Sequence, residues 1–217
     1  MTRTLVAAVL VGALAVAGCS TTGGGARATT VPASSPSAAA TVGPSAARAC
    51  PTSQPEPLPA GEKRVVKVET AKGTFQITIE ADLSPIAAGN FVALATCGYY
   101  DGIVFHRIVP GFVIQGGDPT GSGTGGPGYE IQDEPVTTPY KRGTVAMART
   151  PAPNSVGSQF FVVLDDAARA ALESANTYQI IGSVTSGMDA VDAIAAAADA
   201  QLPTNPIAMD KVTVSTP

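Results

Sequence analysis

The segment 105–118, FHRIVPGFVIQGGD, contains two short apolar stretches separated by a turn signal. Residues 103–109 and 112–115 are typical of strands, and Pro110-Gly111 suits a tight turn because proline fixes φ while glycine tolerates a positive φ. Arg107 lies inside the first stretch. Because a guanidinium is costly to desolvate among apolar side chains, it must be paired, reach water or border a pocket for a polar ligand. The residues alone leave open whether Arg107 is a salt-bridged strand residue or part of a ligand site.

Short strand patterns recur along the chain, with few helical patterns between them. Residues 64–70 and 73–80 alternate apolar and polar side chains, which predicts a hairpin with one solvent-exposed face. Ser84 and Pro85 suit the N-cap and the first turn of a helix, and Gly98 suits its end. Further patterns predict strands at 143–148, 158–164, 178–182 and 211–215, a helical turn at 165–173 and a second helix at 187–195. We therefore expect a mainly β domain with about eight strands and two helices.

The segment 105–118 resembles the signature of the cyclophilin-type peptidyl-prolyl cis-trans isomerases. Two further segments, MART at 147–150 and GSQFF at 157–161, resemble the second signature of that family at the expected distance downstream. The similarity extends over residues 65–214 and is strongest to the compact bacterial members. It implies a closed eight-stranded antiparallel barrel capped by two helices. It also implies a monomeric isomerase that acts on proline-containing unfolded or extended polypeptides and needs no metal or cofactor.

The resemblance also implies roles for individual residues. Rotation about an X–Pro bond meets a barrier of roughly 20 kcal/mol, because the C–N bond has partial double-bond character, and no bond is broken. A donor beside the prolyl amide and an apolar slot for the ring can therefore provide the catalysis. Arg107 matches the family's catalytic arginine, and Gln115 matches the glutamine that assists it. Phe112 and Phe161 match the floor of the proline pocket, and we expect Phe112 to act with the catalytic residues. The other residues expected to bind substrate are Val113, Gly123, Ala148, Arg149, Gln159, Leu172 and Tyr178.

Some wall positions depart from the family pattern. Val113 stands where many members carry methionine, and Tyr178 stands where the best-known eukaryotic members carry histidine. Leu172 lies in a stretch that aligns poorly with the family. The chain contains no tryptophan, whereas the family's usual determinant of tight cyclosporin binding is a tryptophan in the region 165–172. We therefore expect isomerase activity together with weak cyclosporin binding.

Three other patterns suggest functions that the sequence does not support. Residues 121–126, GSGTGG, match G-x-G-x-x-G, but Pro127-Gly128 follows instead of a helix, so we expect a loose loop bordering the substrate groove rather than a dinucleotide site. His106 is the only histidine, and we expect a structural hydrogen-bonding role because the reaction needs no proton transfer. Asp133 and Glu134 are adjacent, so in a strand they would point to opposite faces and could not act as an acid–base pair.

The chain begins with the pattern of a bacterial lipoprotein signal peptide over residues 1–18. A short positive region precedes 13 apolar or small residues at 5–17, which are too few to span a bilayer. The run ends in VAGC, which resembles a lipobox whose Cys19 is diacylated and becomes the mature N-terminus. An ordinary signal peptide cut near Ala17 and an uncleaved anchor are the alternatives. Lipidation at Cys19 implies an extracytoplasmic protein held on the outer face of a bacterial cell membrane.

Residues 19–60 are expected to form the lipidated N-terminus and a disordered tether, and residues 61–217 the isomerase domain. Between residues 20 and 60, 33 of 41 residues are Ala, Gly, Pro, Ser or Thr, and no apolar periodicity offsets the entropy of ordering them. A flexible coil of this length has a root-mean-square reach of about 35 Å. If Cys19 carries lipid, Cys50 and Cys97 remain as one possible disulfide, and a buried Cys97 with a free Cys50 is the alternative.

The charge balance limits the partners of the chain. Its 13 basic and 17 acidic residues give a net charge of −4 without any basic run, which disfavours binding to nucleic acid or electrostatically to anionic lipid. Two other functions stay open: a chaperone or scaffold that binds proline-containing segments with little turnover, and a lipoprotein for an unrelated small ligand. Arg107 and Gln115 favour an enzyme over the first, and the two signatures disfavour the second. The sequence does not identify the physiological client.

Overall fold

Eight antiparallel strands form one sheet in the computed structural model, which describes residues 49–217. The strands are β1 (Lys63–Thr70), β2 (Gly73–Glu80), β3 (Arg107–Val109), β4 (Val113–Gly116), β5 (Thr144–Met147), β6 (Phe160–Val163), β7 (Ile180–Ser186) and β8 (Lys211–Ser215). Their order across the sheet is β3-β4-β6-β5-β7-β2-β1-β8. The predicted first hairpin is confirmed, because β1 and β2 pair over their whole length, from Lys63 opposite Glu80 to Thr70 opposite Gly73.

The sheet curls without closing through a strand ladder. Its two edge strands are β3 and β8, and the chain segments that precede them meet across the gap. Val104 forms an isolated bridge with Ala208, and the Phe105 N–H donates to the Ile207 carbonyl oxygen at 2.9 Å. The fold is thus a curled antiparallel half-barrel, and the expected full closure overstates it. The strand predicted at 103–109 begins only at Arg107, because the residues before it bond to the segment before β8 instead of to β4.

Three helices accompany the sheet in the described part of the chain, one more than predicted. They are α1 (Pro85–Cys97), α2 (Arg169–Ala175) and α3 (Met188–Ala196). α2 continues a 3₁₀ helix at Asp166–Ala168, in the stretch predicted as only a helical turn. The Asp165 carboxylate accepts the Ala167 N–H at 2.8 Å, and Asn176 ends α2 in the left-handed conformation. Between residues 49 and 217, no helix has both the length and the apolar character needed to cross a membrane.

A residue far away in the chain caps the N-terminus of α1. Ser84 occupies the predicted N-cap position, but its side chain makes no capping hydrogen bond. The Glu134 carboxylate instead accepts the N–H groups of Ile86 at 2.8 Å and Ala87 at 2.9 Å. A carboxylate stabilises this end because the first N–H groups of a helix have no partner within the helix and lie at its positive pole. Gly98 ends α1 in the left-handed conformation, as predicted.

Alternation along the strands separates two apolar clusters. On β6, Phe160 enters the main core, whereas Phe161 enters a second, smaller cluster on the other face. In the main core the rings of Phe91 and Phe160 lie 5.1 Å apart and nearly perpendicular. The buried members of the second cluster are Val113, Tyr140, Ala146, Phe161, Val163, Ala168, Leu172 and Ile180. Because successive residues of a strand point to opposite faces, the same short strands support both the core and this second cluster.

The folded unit begins earlier than the boundary predicted at residue 61. Residues 50–60, which we call the strap, lie along α1 and are part of the fold. Cys50 forms a disulfide with Cys97 at the end of α1, with 5.2 Å between the Cα atoms. Leu58 is buried, and this burial, together with the disulfide, orders a segment whose composition predicted a tether. The predicted signal peptide, 1–18, and most of the predicted tether, 19–48, lie outside the described residues.

The strap approaches its neighbours closely at two further points. A Cβ atom on Gly89 of α1 would lie 2.4 Å from the carbonyl oxygen of Glu56, so the helix needs a glycine where the strap crosses it. The side-chain oxygen of Gln54 accepts the N–H of Gln132 at 2.9 Å. The strap therefore joins α1 to the segment around residue 132.

Candidate active site

Three neighbouring strands bring the predicted catalytic residues into one row. In the β3–β4 hairpin Arg107 stands opposite Gln115, and Gln115 in turn stands opposite Phe161 on β6. Residues paired across adjacent strands carry their side chains on the same face of the sheet. Phe112 lies in the turn immediately before β4. The row therefore places a guanidinium, a carboxamide and an aromatic ring side by side.

A chain of carboxamides fixes the orientation of this row. Arg107 Nη1 donates to Gln115 Oε1 at 3.4 Å, and Gln115 Nε2 donates to Gln159 Oε1 at 2.9 Å. Gln159 Nε2 donates to the carbonyl oxygens of Gly123 at 3.0 Å and Gly125 at 2.9 Å. Because these carbonyl oxygens can only accept, they set the direction of both amides and turn the Gln115 oxygen toward the guanidinium.

The second apolar cluster adjoins this row, because Phe161 belongs to both. Phe161 and Leu172 are buried there, and the partly buried Phe112 and Tyr178 pack against them. The rings of Phe161 and Tyr178 lie 5.4 Å apart at 86°, in an edge-to-face arrangement. Val113 belongs to the same cluster. The structure thus places Leu172, whose stretch aligned poorly with the family, in one cluster with the other residues predicted to bind the proline ring.

A groove of about 640 Å³ continues from Gln115 and contains the remaining predicted residues. Gly123, Ala148, Arg149 and Gln159 all line it. The Arg149 side chain is only 9% exposed and pairs with Asp133 at 2.8 Å. Its Nε and Nη2 also donate to the carbonyl oxygens of Thr150 and Ala152. Arg149 therefore stabilises the groove wall with its charge already neutralised, and Asp133 is engaged separately from Glu134.

The glycine-rich loop that borders this groove is organised by one buried carboxylate. Asp118 Oδ1 accepts the N–H of Thr120 at 2.7 Å, and its Oδ2 accepts the N–H groups of Gly123 at 2.6 Å and Gly125 at 3.0 Å. Burial raises the pKa of Asp118, but these hydrogen bonds outweigh burial and hold the pKa well below its usual value. The prediction of a loose loop is therefore wrong. These three N–H groups bind an internal carboxylate rather than a phosphate.

A family model described as Cyclophilin type peptidyl-prolyl cis-trans isomerase/CLD matches residues 65–214. This chain is a cyclophilin. It is 47% identical over 95 residues to a peptidyl-prolyl cis-trans isomerase of Synechococcus elongatus, a match that covers 44% of this chain and 65% of that protein, slightly less than two thirds of its length. It is 40% identical over 131 residues to a peptidyl-prolyl cis-trans isomerase of Helicobacter pylori, covering 58% of this chain and 77% of that protein.

Solved structures of a cyclophilin type peptidyl-prolyl cis-trans isomerase from Cryptosporidium parvum share the fold. One has a TM-score of 0.64 and 30% sequence identity, and covers 71% of this chain and 99% of that chain. A second was determined in the presence of the dipeptide Ala-Pro, with a TM-score of 0.63 and 30% identity, covering 70% of this chain and 99% of that chain. The expected family and mainly β fold are therefore confirmed.

The only histidine of this cyclophilin is buried beside the glycine-rich loop. His106 is 5% exposed, and its ring lies 3.9 Å from the position of a Cβ on Gly123. Neither ring nitrogen forms a well-aligned hydrogen bond within residues 49–217, so the expected hydrogen-bonding role is limited to weak contacts with the Val104 backbone and the Gln159 side chain. Burial lowers the pKa of His106 more than the Asp118 carboxylate raises it. The imidazole is therefore neutral at pH 7 and packs against the glycine-rich loop at Gly123.

Two residues near the cyclophilin site, Asp118 and Gln201, were not predicted as site residues from the sequence. Asp118 ends the first signature, and the hydroxyl and glycine residues after it are typical of a loop folded onto a carboxylate. Gln201, in the segment between α3 and β8, reaches Arg107 from the opposite side to Gln115, and no local pattern indicates it.

Within the described residues, no three His, Cys, Asp or Glu side chains gather as a metal site requires.

Proposed function

We propose that this cyclophilin accelerates rotation about X–Pro bonds in unfolded or extended polypeptides. The observation that carries the proposal is the position of Arg107, whose guanidinium donates to Gln115 in the row that ends at Phe161 of the second apolar cluster. Family membership and the structure of a relative determined with Ala-Pro support it. The groove beyond Gln115 supplies a place for the residues that precede proline.

The geometry suits a reaction in which no covalent bond is made or broken. The prolyl ring enters the slot between Phe112 and Phe161, which holds the ring while the preceding residue rotates. Arg107 then donates to the prolyl amide, weakening its resonance and favouring the twisted over the planar amide. Because the donor is oriented before substrate binds, little reorganisation is needed at the transition state.

Substitution of Arg107 tests this proposal. Arg107→Ala should lower turnover by about 10²-fold, the scale observed when one preorganised donor is removed. Arg107→Lys should restore only part of the rate, because an ammonium lacks the planar fork of donors. Isomerisation of a short X–Pro peptide, followed by exchange spectroscopy, measures the rate, and a denaturant midpoint measures stability.

Arg64→Ala is the matched control, because Arg64 lies on β1 and pairs with Glu62. It removes the same functional group from a strand that does not belong to the row and should leave turnover unchanged. Near-normal exchange with Arg107→Ala would contradict the enzymatic proposal. A binding module for proline-containing segments, acting as a chaperone or scaffold with little turnover, would then be the better description.

The proposal extends to the location of the protein. We infer a signal peptide at residues 1–18, lipidation at Cys19 and a tether that holds a monomeric domain outside the cytoplasm, where it assists folding. The VAGC sequence and the Cys50–Cys97 disulfide support this, since disulfides persist in oxidising compartments. Cys19→Ala should move the protein from the membrane fraction to the soluble fraction without changing its isomerase rate. Retention of Cys19→Ala in the membrane pellet would indicate an uncleaved anchor.

A further inference from the structure

A second glutamine binds the guanidinium of Arg107 from the side opposite Gln115. Gln201 belongs to the segment that joins α3 to β8, and its backbone carbonyl oxygen accepts the Ile108 N–H at 2.8 Å. This bond attaches the segment to β3 one residue beyond Arg107. With its amide oriented so that the oxygen faces the guanidinium, Gln201 accepts from Arg107 Nε and Nη2 at 3.2 Å each. All three guanidinium nitrogens therefore have a carboxamide oxygen as partner.

The neutrality of these partners distinguishes Arg107 from the other arginines that the structure describes. Each of the others pairs with a carboxylate: Arg64 with Glu62, Arg142 with Asp192, Arg149 with Asp133 and Arg169 with Glu173. Arg107 forms no such ion pair between residues 49 and 217, and its hydrogen bonds go to Gln115 and Gln201. Its position is thus fixed without neutralising its positive charge.

We propose that Gln201 is a positioning residue that orients Arg107 while leaving its charge available to the prolyl amide. The proposal rests on the isomerase function proposed above. A carboxylate at this position would bind the Nε and Nη2 fork more strongly than an amide does. It would also place a negative charge beside the group that interacts with the prolyl amide, which weakens the field acting on the transition state. A neutral acceptor therefore provides orientation without that loss.

Two substitutions at one position separate orientation from charge. Gln201→Ala removes the acceptor, and Gln201→Glu keeps it and adds a negative charge. Leu202→Glu is the matched control, because Leu202 is the next residue, is 68% exposed and acquires the same charge in solvent. The full chain carrying each change is assayed with one X–Pro peptide for kcat by exchange spectroscopy, for KM, and for its denaturant midpoint.

We expect Gln201→Ala to lower kcat by about tenfold, because loss of both hydrogen bonds to Arg107 leaves the guanidinium less well oriented, with KM changed less than twofold. Gln201→Glu should lower kcat by about tenfold or more although its denaturant midpoint is at least that of the unsubstituted protein. Leu202→Glu should change neither quantity. Loss of kcat at full stability in the glutamate variant is the result that a merely structural role for Gln201 cannot produce.

Three results would overturn the inference. Normal kcat in Gln201→Glu would show that the charge of the partner is unimportant, and normal kcat in Gln201→Ala would show that Gln201 does not position Arg107. An equal loss in Leu202→Glu and Gln201→Glu would assign the effect to charge at a distance. Arg107→Ala in the same assay separates these failures from failure of the proposed function: if it is inactive, only the role of Gln201 is refuted, whereas normal turnover refutes both.

Discussion

The substitution Asp118→Asn tests whether the Asp118 carboxylate organises the glycine-rich loop that borders the groove. This change replaces one carboxylate oxygen by an NH₂ group of nearly the same size, so it alters hydrogen bonding without altering packing. Asp118 is buried, and its two oxygens together accept three backbone N–H groups and the Thr120 hydroxyl. An asparagine has one side-chain oxygen, so whichever way its amide turns, at least one backbone donor faces an NH₂ group.

The magnitude follows from counting the donors that lose their acceptor. The less costly orientation puts the amide oxygen in the place of Oδ2, which keeps the N–H groups of Gly123 and Gly125 bonded and leaves the N–H of Thr120 without an acceptor. One unsatisfied donor costs about 1–3 kcal/mol, so we expect Asp118→Asn to destabilise the fold by about 2 kcal/mol at pH 7. Turnover should also fall, by about tenfold, because the same loop supplies the carbonyl oxygens that orient Gln159 and, through it, Gln115.

The pH dependence of this stability difference has a definite sign. The folded pKa of Asp118 lies below its usual value, because hydrogen bonds outweigh the opposing effect of burial. The carboxylate therefore contributes its full stabilisation above the unfolded pKa of about 3.9 and loses it as the pH falls toward the folded pKa. The free-energy difference between the unsubstituted protein and Asp118→Asn should thus be constant from neutral pH to mildly acidic pH and shrink below about pH 4.

Denaturant unfolding at several pH values, with peptide exchange on the same samples, measures both effects. Asp192→Asn is the matched control, since Asp192 forms an exposed ion pair with Arg142 and should change stability by less than about 1 kcal/mol. If Asp118→Asn unfolds at the same denaturant concentration as the unsubstituted protein, the carboxylate does not organise the loop. A difference that grows on acidification would equally contradict the assigned direction of the pKa shift.

Two other predictions concern the disulfide and the slot. The Cys50–Cys97 disulfide closes a separation of 47 residues, so the double variant Cys50→Ser/Cys97→Ser should lose about 2–4 kcal/mol of unfolding free energy. Reduction of the unsubstituted protein should lower its denaturant midpoint to that of the double variant. Equal midpoints of the unsubstituted protein before and after reduction would contradict this prediction. Because the chain lacks tryptophan, cyclosporin should lose an indole hydrogen bond and aromatic contact worth about 1–3 kcal/mol, and bind one to two decades more weakly than to a tryptophan-bearing cyclophilin. An inhibition titration with a nanomolar midpoint would show that another residue compensates.

Local patterns predicted the elements that depend on local causes. The β1–β2 hairpin follows from alternation within 18 residues, from Lys63 to Glu80, and the ends of α1 follow from Pro85 and Gly98. The capping of α1 could not be predicted, because Glu134 lies 48 residues away from Ile86, which it binds. The shortening of β3 has a similar cause, since its predicted first residues bond to a segment about a hundred residues later.

The site shows the same division between local and distant causes. The signature residues that the resemblance indicated, such as Arg107 and Gln115, lie together in one row of paired strands. Gln201 was not predicted, because its contact with Arg107 depends on how the segment before β8 crosses the gap in the sheet. The strap was predicted as tether, because composition reports the average of a segment and not the burial of a single residue such as Leu58.

The position of the disulfide at the first residue of the strap determines where a mechanical load enters the domain. A pulling force applied to the chain before Cys50 passes through the sulfur–sulfur bond into Cys97 and the last turn of α1. Residues 51–60 lie within the covalent loop that this path bypasses, so they carry no tension. The contact of Gln54 with Gln132, two residues beyond Glu130 in the groove wall, is therefore reached by the load only through the folded domain and not through the strap. A pull on the chain before Cys50 thus enters the fold at Cys97 and the end of α1 rather than through residues 51–60.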